Sequence, residues 1–145
     1  MILNIANTIL ASISLLFSLY VFAKNKLYSK TNVDVSILNT ITAAHSEVAK
    51  ALQDLAIFQN DPSDFGETMR QNAYSSFDTL LLAYNYACSK YYKQAVTLDW
   101  FELTYKPRIS SLFKTPLYQE LLANKESYPY LHRFHSEYCT KSQNH

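Results

Sequence analysis

Apolar and polar residues divide the chain into one uninterrupted apolar segment and a longer part with helical periodicity. Residues 2–23 read ILNIANTILASISLLFSLYVFA and contain no charged side chain. A helix of this length spans about 30 Å, which matches the hydrocarbon core of a bilayer. Its polar residues are Asn, Ser, Thr and Tyr20, all of which membrane helices accept. The pattern therefore predicts a single transmembrane helix.

A cleaved signal peptide is the alternative interpretation of this segment. Signal peptides open with a basic region and end at a small-x-small site, whereas this segment begins without Lys or Arg and ends in YVFA. We therefore predict a retained anchor. Lys24, Lys26 and Lys30 follow it directly, and the positive-inside rule places them in the cytoplasm with the short N-terminus outside. The same three lysines are candidates for contact with anionic lipid head groups.

The polar and small residues of the predicted membrane helix lie on one stripe, at spacings of three and four residues. The members of this membrane stripe are Asn4, Asn7, Ala11, Ser14 and Ser18. Such a stripe lets membrane helices approach closely and hydrogen-bond across the contact, at about 0.6–2 kcal/mol per bond. We expect it to bind copies of the chain or a partner subunit. Two alternatives stay open: hydroxyls that bond to their own helix carbonyls, and a stripe that lines a narrow pore in an oligomer.

Beyond residue 30, apolar residues follow the three- and four-residue spacing of packed helices. The first series is Ile37, Ile41, Ala44, Val48, Ala51, Leu55 and Phe58. It is out of phase with the membrane stripe, so we expect a break near residues 29–33. Residues 61–66 (DPSDFG) predict a loop, after which a second, central helix runs to about Val96.

Three further helices complete the predicted bundle. Asp99 followed by Glu102 resembles a capping box, and it opens a third helix that Pro107 is expected to kink or split. Thr-Pro at residues 115–116 and Tyr-Pro at residues 128–129 open two shorter helices.

The predicted fold class is all-α, with an N-terminal single-pass transmembrane helix followed by a cytoplasmic helical bundle. Residues 1–30 form the anchor and its basic juxtamembrane segment, residues 31–139 the bundle, and residues 140–145 a polar tail. The expected location is the inner membrane of the cell, with the N-terminus outside.

Composition narrows the functions that this chain can have. The net charge is +1, and ten basic and twelve acidic residues remain beyond residue 30, so we expect no nucleic-acid partner. Gly66 is the only glycine, whereas phosphate-binding loops, dinucleotide fingerprints and nucleophile elbows need several. We therefore expect no catalytic residues, no cofactor and no enzymatic activity. The twelve tyrosines are interpreted as core and protein-contact residues.

His132, His135 and Cys139 are the candidates for metal ligands. Their spacing puts them on one helix face, and nitrogen and sulfur ligands suit zinc. A fourth ligand would come from His45 or Cys88. Two exposed histidines and a buried cysteine on a surface helix explain the pattern without a metal, and we expect none. We expect the two cysteines to be reduced in the cytoplasm, with one disulfide between them as the alternative.

The stretch from Phe77 to Phe113, FDTLLLAYNYACSKYYKQAVTLDWFELTYKPRISSLF, resembles the middle of an uncharacterised family of small bacterial helical proteins. The shared elements are an aromatic and apolar helix with Asn85 at its centre, a short break with Asp99, and an amphipathic helix that ends near residues 109–113. The resemblance implies an N-terminal membrane span and an association with phage-defence or mobile-element loci.

The leading hypothesis is a non-enzymatic protein that is anchored in the lipid bilayer and acts by association with itself or with a partner membrane subunit. The resemblance implies an abortive-infection effector or an accessory protein. Two alternatives are a metal-dependent or hydrolytic activity in the bundle, and a signalling adaptor whose tyrosine-rich surface binds a soluble partner.

Overall fold

A computed structural model describes the backbone of residues 2–58 and 64–140, and the side chains of residues 15–57 and 66–140. These ranges contain helices and turns and no strand, which confirms the predicted all-α bundle. The elements are α1 (Ile2–Phe58), α2 (Asp64–Tyr92), α3 (Leu98–Lys114), a 3-10 turn (Pro116–Tyr118), α4 (Gln119–Ala123), α5 (Pro129–Phe134) and a π-helical turn (His135–Cys139). Of the predicted loop at residues 61–66, residues 61–63 lie outside the described ranges, and the rest belongs to α2.

The predicted break near residues 29–33 is wrong, because α1 runs without interruption from Ile2 to Phe58. No Gly or Pro occurs in this stretch, and the Thr31 hydroxyl donates to the Leu27 carbonyl at 3.1 Å without ending the helix. Each helical residue turns the chain by about 100°. The positions of the membrane stripe and those of the apolar series from Ile37 to Phe58 therefore differ by about 100° around one helix, and the phase difference marks a change of face.

Helix α2 is the central helix of the bundle, as predicted. It packs along α1 against Ile37, Ile41, Ala44 and Val48, which are at most 5% exposed. Its own buried residues include Phe77, Leu80, Leu81, Tyr84, Ala87, Cys88 and Tyr91. Burial of these two stripes against each other is the main apolar contribution to stability.

Helix α2 ends at Tyr92, earlier than the predicted end near Val96. Gln94 adopts a left-handed backbone with φ of 54°. The Gln94 amide donates to the Tyr91 carbonyl at 2.9 Å, and the Ala95 amide donates to the Lys90 carbonyl at 3.0 Å. These bonds satisfy carbonyl groups of the last turn, and a left-handed residue just after the last helical residue commonly ends a helix in this way.

Of the two effects predicted for Pro107, a kink or a split of the helix, the structure excludes the split, since α3 continues to Lys114. Phe101, Tyr105, Ile109 and Leu112 are buried along one side of the helix, and we attribute the tolerance of the proline to that packing.

The predicted capping box of Asp99 and Glu102 does not form. The Glu102 carboxylate accepts a hydrogen bond from the Tyr91 hydroxyl. The hydrogen-bond acceptor at the start of α3 is instead the carboxylate of Asp34, a residue of α1 that is 8% exposed. Its two carboxylate oxygens lie 3.2 and 3.3 Å from the Thr97 amide nitrogen. A carboxylate is favourable there because it compensates the positive end of the helix dipole.

The helix starts predicted at residues 115–116 and 128–129 are confirmed. The side chain that caps α5 comes from α2: the Asn85 Oδ1 atom accepts hydrogen bonds from the amides of Tyr130 at 2.9 Å and Leu131 at 3.0 Å. This arrangement satisfies two amides of the first turn, as an N-cap residue does.

We expect Asn85→Ala to lower the free energy of unfolding by about 0.5–2 kcal/mol, because two amides at the start of α5 lose their acceptor. Asn72→Ala on the exposed side of the same helix is the control, and we expect it to change stability by less than about 0.5 kcal/mol. Urea unfolding followed by circular dichroism measures both. Equal stability of the two variants would contradict the assigned cap.

Candidate functional sites

The N-terminal part of α1 carries apolar side chains on every side. They are Leu15, Leu16, Phe17, Leu19, Tyr20, Val21 and Phe22, with exposed fractions from 37% to 70%. Consecutive helical residues point in directions about 100° apart, so no side of this segment is covered by the bundle. We call residues 15–22 the apolar girdle. A continuous apolar surface of this kind marks a site of contact with a membrane or a protein.

Within the residues that the structure describes, no helix is both long enough and apolar enough to cross a membrane. The predicted span begins at residue 2, and the side chains of residues 2–14 lie outside the described ones. The side chains of four members of the membrane stripe, Asn4, Asn7, Ala11 and Ser14, therefore lie outside the described ranges. Ser18 is described and is exposed.

The basic residues that follow the girdle lie on two sides of α1. The Lys24 ammonium lies 5.9 Å from the ring centroid of Tyr20 and 5.8 Å from that of Tyr28. Lys26 and Lys30 instead line a groove of about 410 Å³ beside the turn between α2 and α3. The groove is completed by Phe22, Asn25, Ser29, Val33, Gln94 and Ala95.

The groove carries an uncompensated positive charge. The ion pairs of the described side chains join Arg70 to Glu67 and Arg133 to Glu137, and no acidic residue lines the groove. Since Phe22 belongs to both the girdle and the groove, an apolar and a basic surface meet at this point of α1.

The three candidate metal ligands are each engaged in other contacts. His135 stacks on Phe113 with a centroid distance of 3.8 Å, and His132 meets the same ring edge-on at 5.0 Å. The Cys139 Sγ atom lies 3.6 Å from the Lys106 carbonyl oxygen, to which it donates. Burial lowers the pKa of both imidazoles. In the part of the chain that is described, no three His, Cys, Asp or Glu residues form a group that could hold a metal ion.

Both cysteines are free and buried. Burial raises the pKa of the Cys88 thiol and of the Cys139 thiol. Each is therefore a protonated, weakly nucleophilic group at neutral pH.

A pocket of about 620 Å³ opens between α1, α2 and α3, and we call it the bundle pocket. Its polar lining residues are His45, Tyr84, Arg108, Ser111 and Thr115, and its apolar ones are Leu52, Leu112, Leu117 and Tyr118. The pocket therefore combines an apolar wall with a cation and several hydrogen-bonding groups.

Tyr84 connects the polar groups of the bundle pocket. Its hydroxyl lies 3.0 Å from the His45 Nε2 atom, and Arg108 lines the same pocket. Burial raises the pKa of Tyr84 to about 12, so this hydroxyl is protonated at neutral pH. Burial and the positive charge of Arg108 lower the pKa of His45. The imidazole is thus neutral at neutral pH, and Arg108 is the one full charge in the lining.

The sequence pattern predicted His45 only as a candidate metal ligand, and it did not predict Tyr84 or Arg108 as site residues. The three residues come from three helices, and no local motif relates them. Chemically, the arrangement offers hydrogen bonds and one positive charge to a ligand. It has no carboxylate to act as a general base beside the neutral imidazole.

No family model matches the chain, and no curated protein or solved structure matches it either. The fold and these sites define a class only: an all-α bundle whose first helix extends beyond it as an exposed apolar segment. The resemblance of residues 77–113 to small bacterial helical proteins stays a prediction.

Proposed function

We propose that this chain is a single-pass membrane protein that acts by association, with its bundle at the cytoplasmic surface of a bacterial inner membrane. The observation that carries the proposal is the apolar girdle, which is exposed on all sides of α1. Exposed apolar surface is unfavourable in water by about 25 cal/mol per Å², whereas in lipid it is not. Together with the apolar residues that precede it in the sequence, the girdle has the length of a membrane span.

The orientation rests on the lysines that follow the girdle. Lys24, Lys26 and Lys30 adjoin its end, and basic residues are retained on the cytoplasmic side of membrane helices. In this orientation Lys26 and Lys30 meet lipid head groups from one side of α1 and Lys24 from the opposite side. Tyr20 and Tyr28 lie at the depth where aromatic residues are enriched at membrane interfaces.

The membrane stripe supports association within the bilayer. Asn4 and Asn7 are amides that lipid cannot satisfy, so a second helix that presents the same stripe is the favourable partner. The face of α1 that packs on α2 lies about 100° away from the stripe. The bundle contact and the predicted stripe therefore use different sides of α1, and we propose that the stripe binds a copy of the chain or another subunit.

Crosslinking in native membranes tests this association. We expect the wild-type chain to give crosslinked oligomers or a crosslinked partner, and we expect the double variant Asn4→Leu, Asn7→Leu to lose most of that yield. The control is Thr8→Leu with Ser12→Leu, which adds apolar residues of the same size off the stripe. Strictly monomeric wild-type protein, or equal yields from the two double variants, would refute the association.

The resemblance of residues 77–113 favours a particular setting for this association. In that setting the chain is an abortive-infection effector that perturbs the membrane, or the anchoring subunit of a defence complex. Phage plating on cells with and without the chain tests this role, and unchanged plating for a broad set of phages would remove it.

A further inference from the structure

We propose that the bundle pocket binds a small organic carboxylate that carries an apolar group. This binding site is independent of the membrane anchor. Along α1, His45 lies 23 residues beyond Phe22, which corresponds to about 35 Å. The pocket is thus well separated along α1 from the predicted span, and the ligand that we propose is a water-soluble molecule.

Arg108 is the residue that selects an anion. The chain has three arginines, and Arg70 and Arg133 each pair with a glutamate at 2.9 Å. Arg108 forms no ion pair with any described acidic side chain. Its charge is therefore available to a ligand.

The guanidinium of Arg108 lies over a ring of the packed core. It is 5.8 Å from the ring centroid of Tyr105. Tyr105 is fully buried and meets Tyr84, which also lines the pocket, edge-on at 6.1 Å. A guanidinium in this position presents its N–H donors in the planar geometry that matches a carboxylate.

The remaining lining restricts the ligand to one negative charge. No Asp or Glu lines the pocket, and its other polar groups are a neutral imidazole and hydroxyls. A phosphate dianion would need a second cation for charge balance, and the pocket does not contain one. A monocarboxylate matches the single charge of Arg108.

The apolar wall requires an apolar group on the same ligand. Leu52 and Leu117 are each 41% exposed at this surface, and Leu112 and Tyr118 continue the wall toward the core. The volume of about 620 Å³ lies within the range of small-molecule sites. A phenyl ring or a short alkyl chain would cover leucine side chains that the bundle leaves open.

The experiment uses the full chain in lipid nanodiscs and ¹⁹F NMR of 4-fluorophenylacetate, with neutral 4-fluorophenylacetamide as the matched probe. We expect saturable broadening of the 4-fluorophenylacetate resonance. We expect 4-fluorophenylacetamide to bind at least about tenfold more weakly, since a charged hydrogen bond is lost. Arg108→Gln should weaken acetate binding by a similar factor. Arg70→Gln, which removes an ion-paired arginine of α2, should leave it unchanged.

A second variant keeps the test decisive if Arg108→Gln alters the fold. Leu117→Glu places a competing carboxylate at an exposed position of the wall, and we expect it to abolish acetate binding. Circular dichroism checks that both variants remain helical. Equal binding of the two probes to the wild-type chain, no saturable binding, or acetate binding that survives both substitutions would overturn the proposal.

Discussion

Replacing Phe101 with alanine is expected to lower the free energy of unfolding by about 3–5 kcal/mol, the range for a buried aromatic residue that leaves a cavity. The Phe101 side chain is 0% exposed. Its ring centroid lies 5.1 Å from that of Tyr91, 4.8 Å from that of Tyr105 and 5.5 Å from that of Phe134. These rings belong to α2, α3 and α5, so the substitution weakens the contact of three helices at once.

Leu103→Ala is the matched control for Phe101→Ala. Leu103 lies on the same helix but is 81% exposed, and we expect its replacement to change stability by less than about 0.5 kcal/mol. Urea unfolding of both variants, followed by circular dichroism, gives the comparison. A loss below about 1 kcal/mol for Phe101→Ala would mean that the aromatic centre of the bundle is packed differently.

The second large effect concerns the apolar girdle. Replacing Leu16 with aspartate is expected to reduce the membrane-integrated fraction strongly, because an aspartate within a membrane helix costs about 3 kcal/mol. Leu16 is 66% exposed. If this part of α1 were surrounded by water, the same substitution would be close to neutral for the fold. The effect therefore distinguishes lipid from water around the girdle.

Ile57→Asp provides a control of nearly equal exposure on the same helix. Ile57 is 65% exposed but lies outside the proposed span, so we expect its replacement to leave the membrane-integrated fraction unchanged. Fractionation of cells that express each variant measures that fraction. Equal distributions of the Leu16 and Ile57 variants would count against the anchor.

Helical periodicity was sufficient to predict most of the fold. Ile37 and Ile41 are buried on one side of α1, as their spacing predicts, and Pro129 begins α5, as proline often begins a helix. Both features depend on residues that are close together in the sequence. The continuity of α1 was not predictable in this way. A shift in the phase of the apolar residues can mean that the helix breaks or that it continues with a different face buried. Here the helix continues, because no Gly or Pro interrupts residues 24–36.

The polar links between helices were beyond the reach of the sequence. Asp34 bonds the Thr97 amide across 63 residues, and Asn85 bonds the Tyr130 amide across 45. Such contacts depend on which helices become neighbours in space. The local pattern predicted that Asp99, the nearest acidic residue, caps α3. That prediction is wrong, because the carboxylate of Asp34 is distant in the sequence but adjacent to the start of α3 in the fold.

The bundle pocket could not be predicted from the sequence for the same reason. Its polar groups, His45, Tyr84 and Arg108, come from α1, α2 and α3. The distinctive property of Arg108 is the absence of an acidic partner among the described side chains. That property becomes visible only when the distances to those side chains are known.

The central claim is that α1 anchors this chain in a bilayer, and alkaline carbonate extraction of native membranes tests it most directly. We expect the wild-type chain to remain in the membrane pellet and to float with the lipid in a density gradient, as an integral protein does. Release of the wild-type chain into the supernatant under the same conditions would contradict the anchor, and with it the proposed association within the membrane.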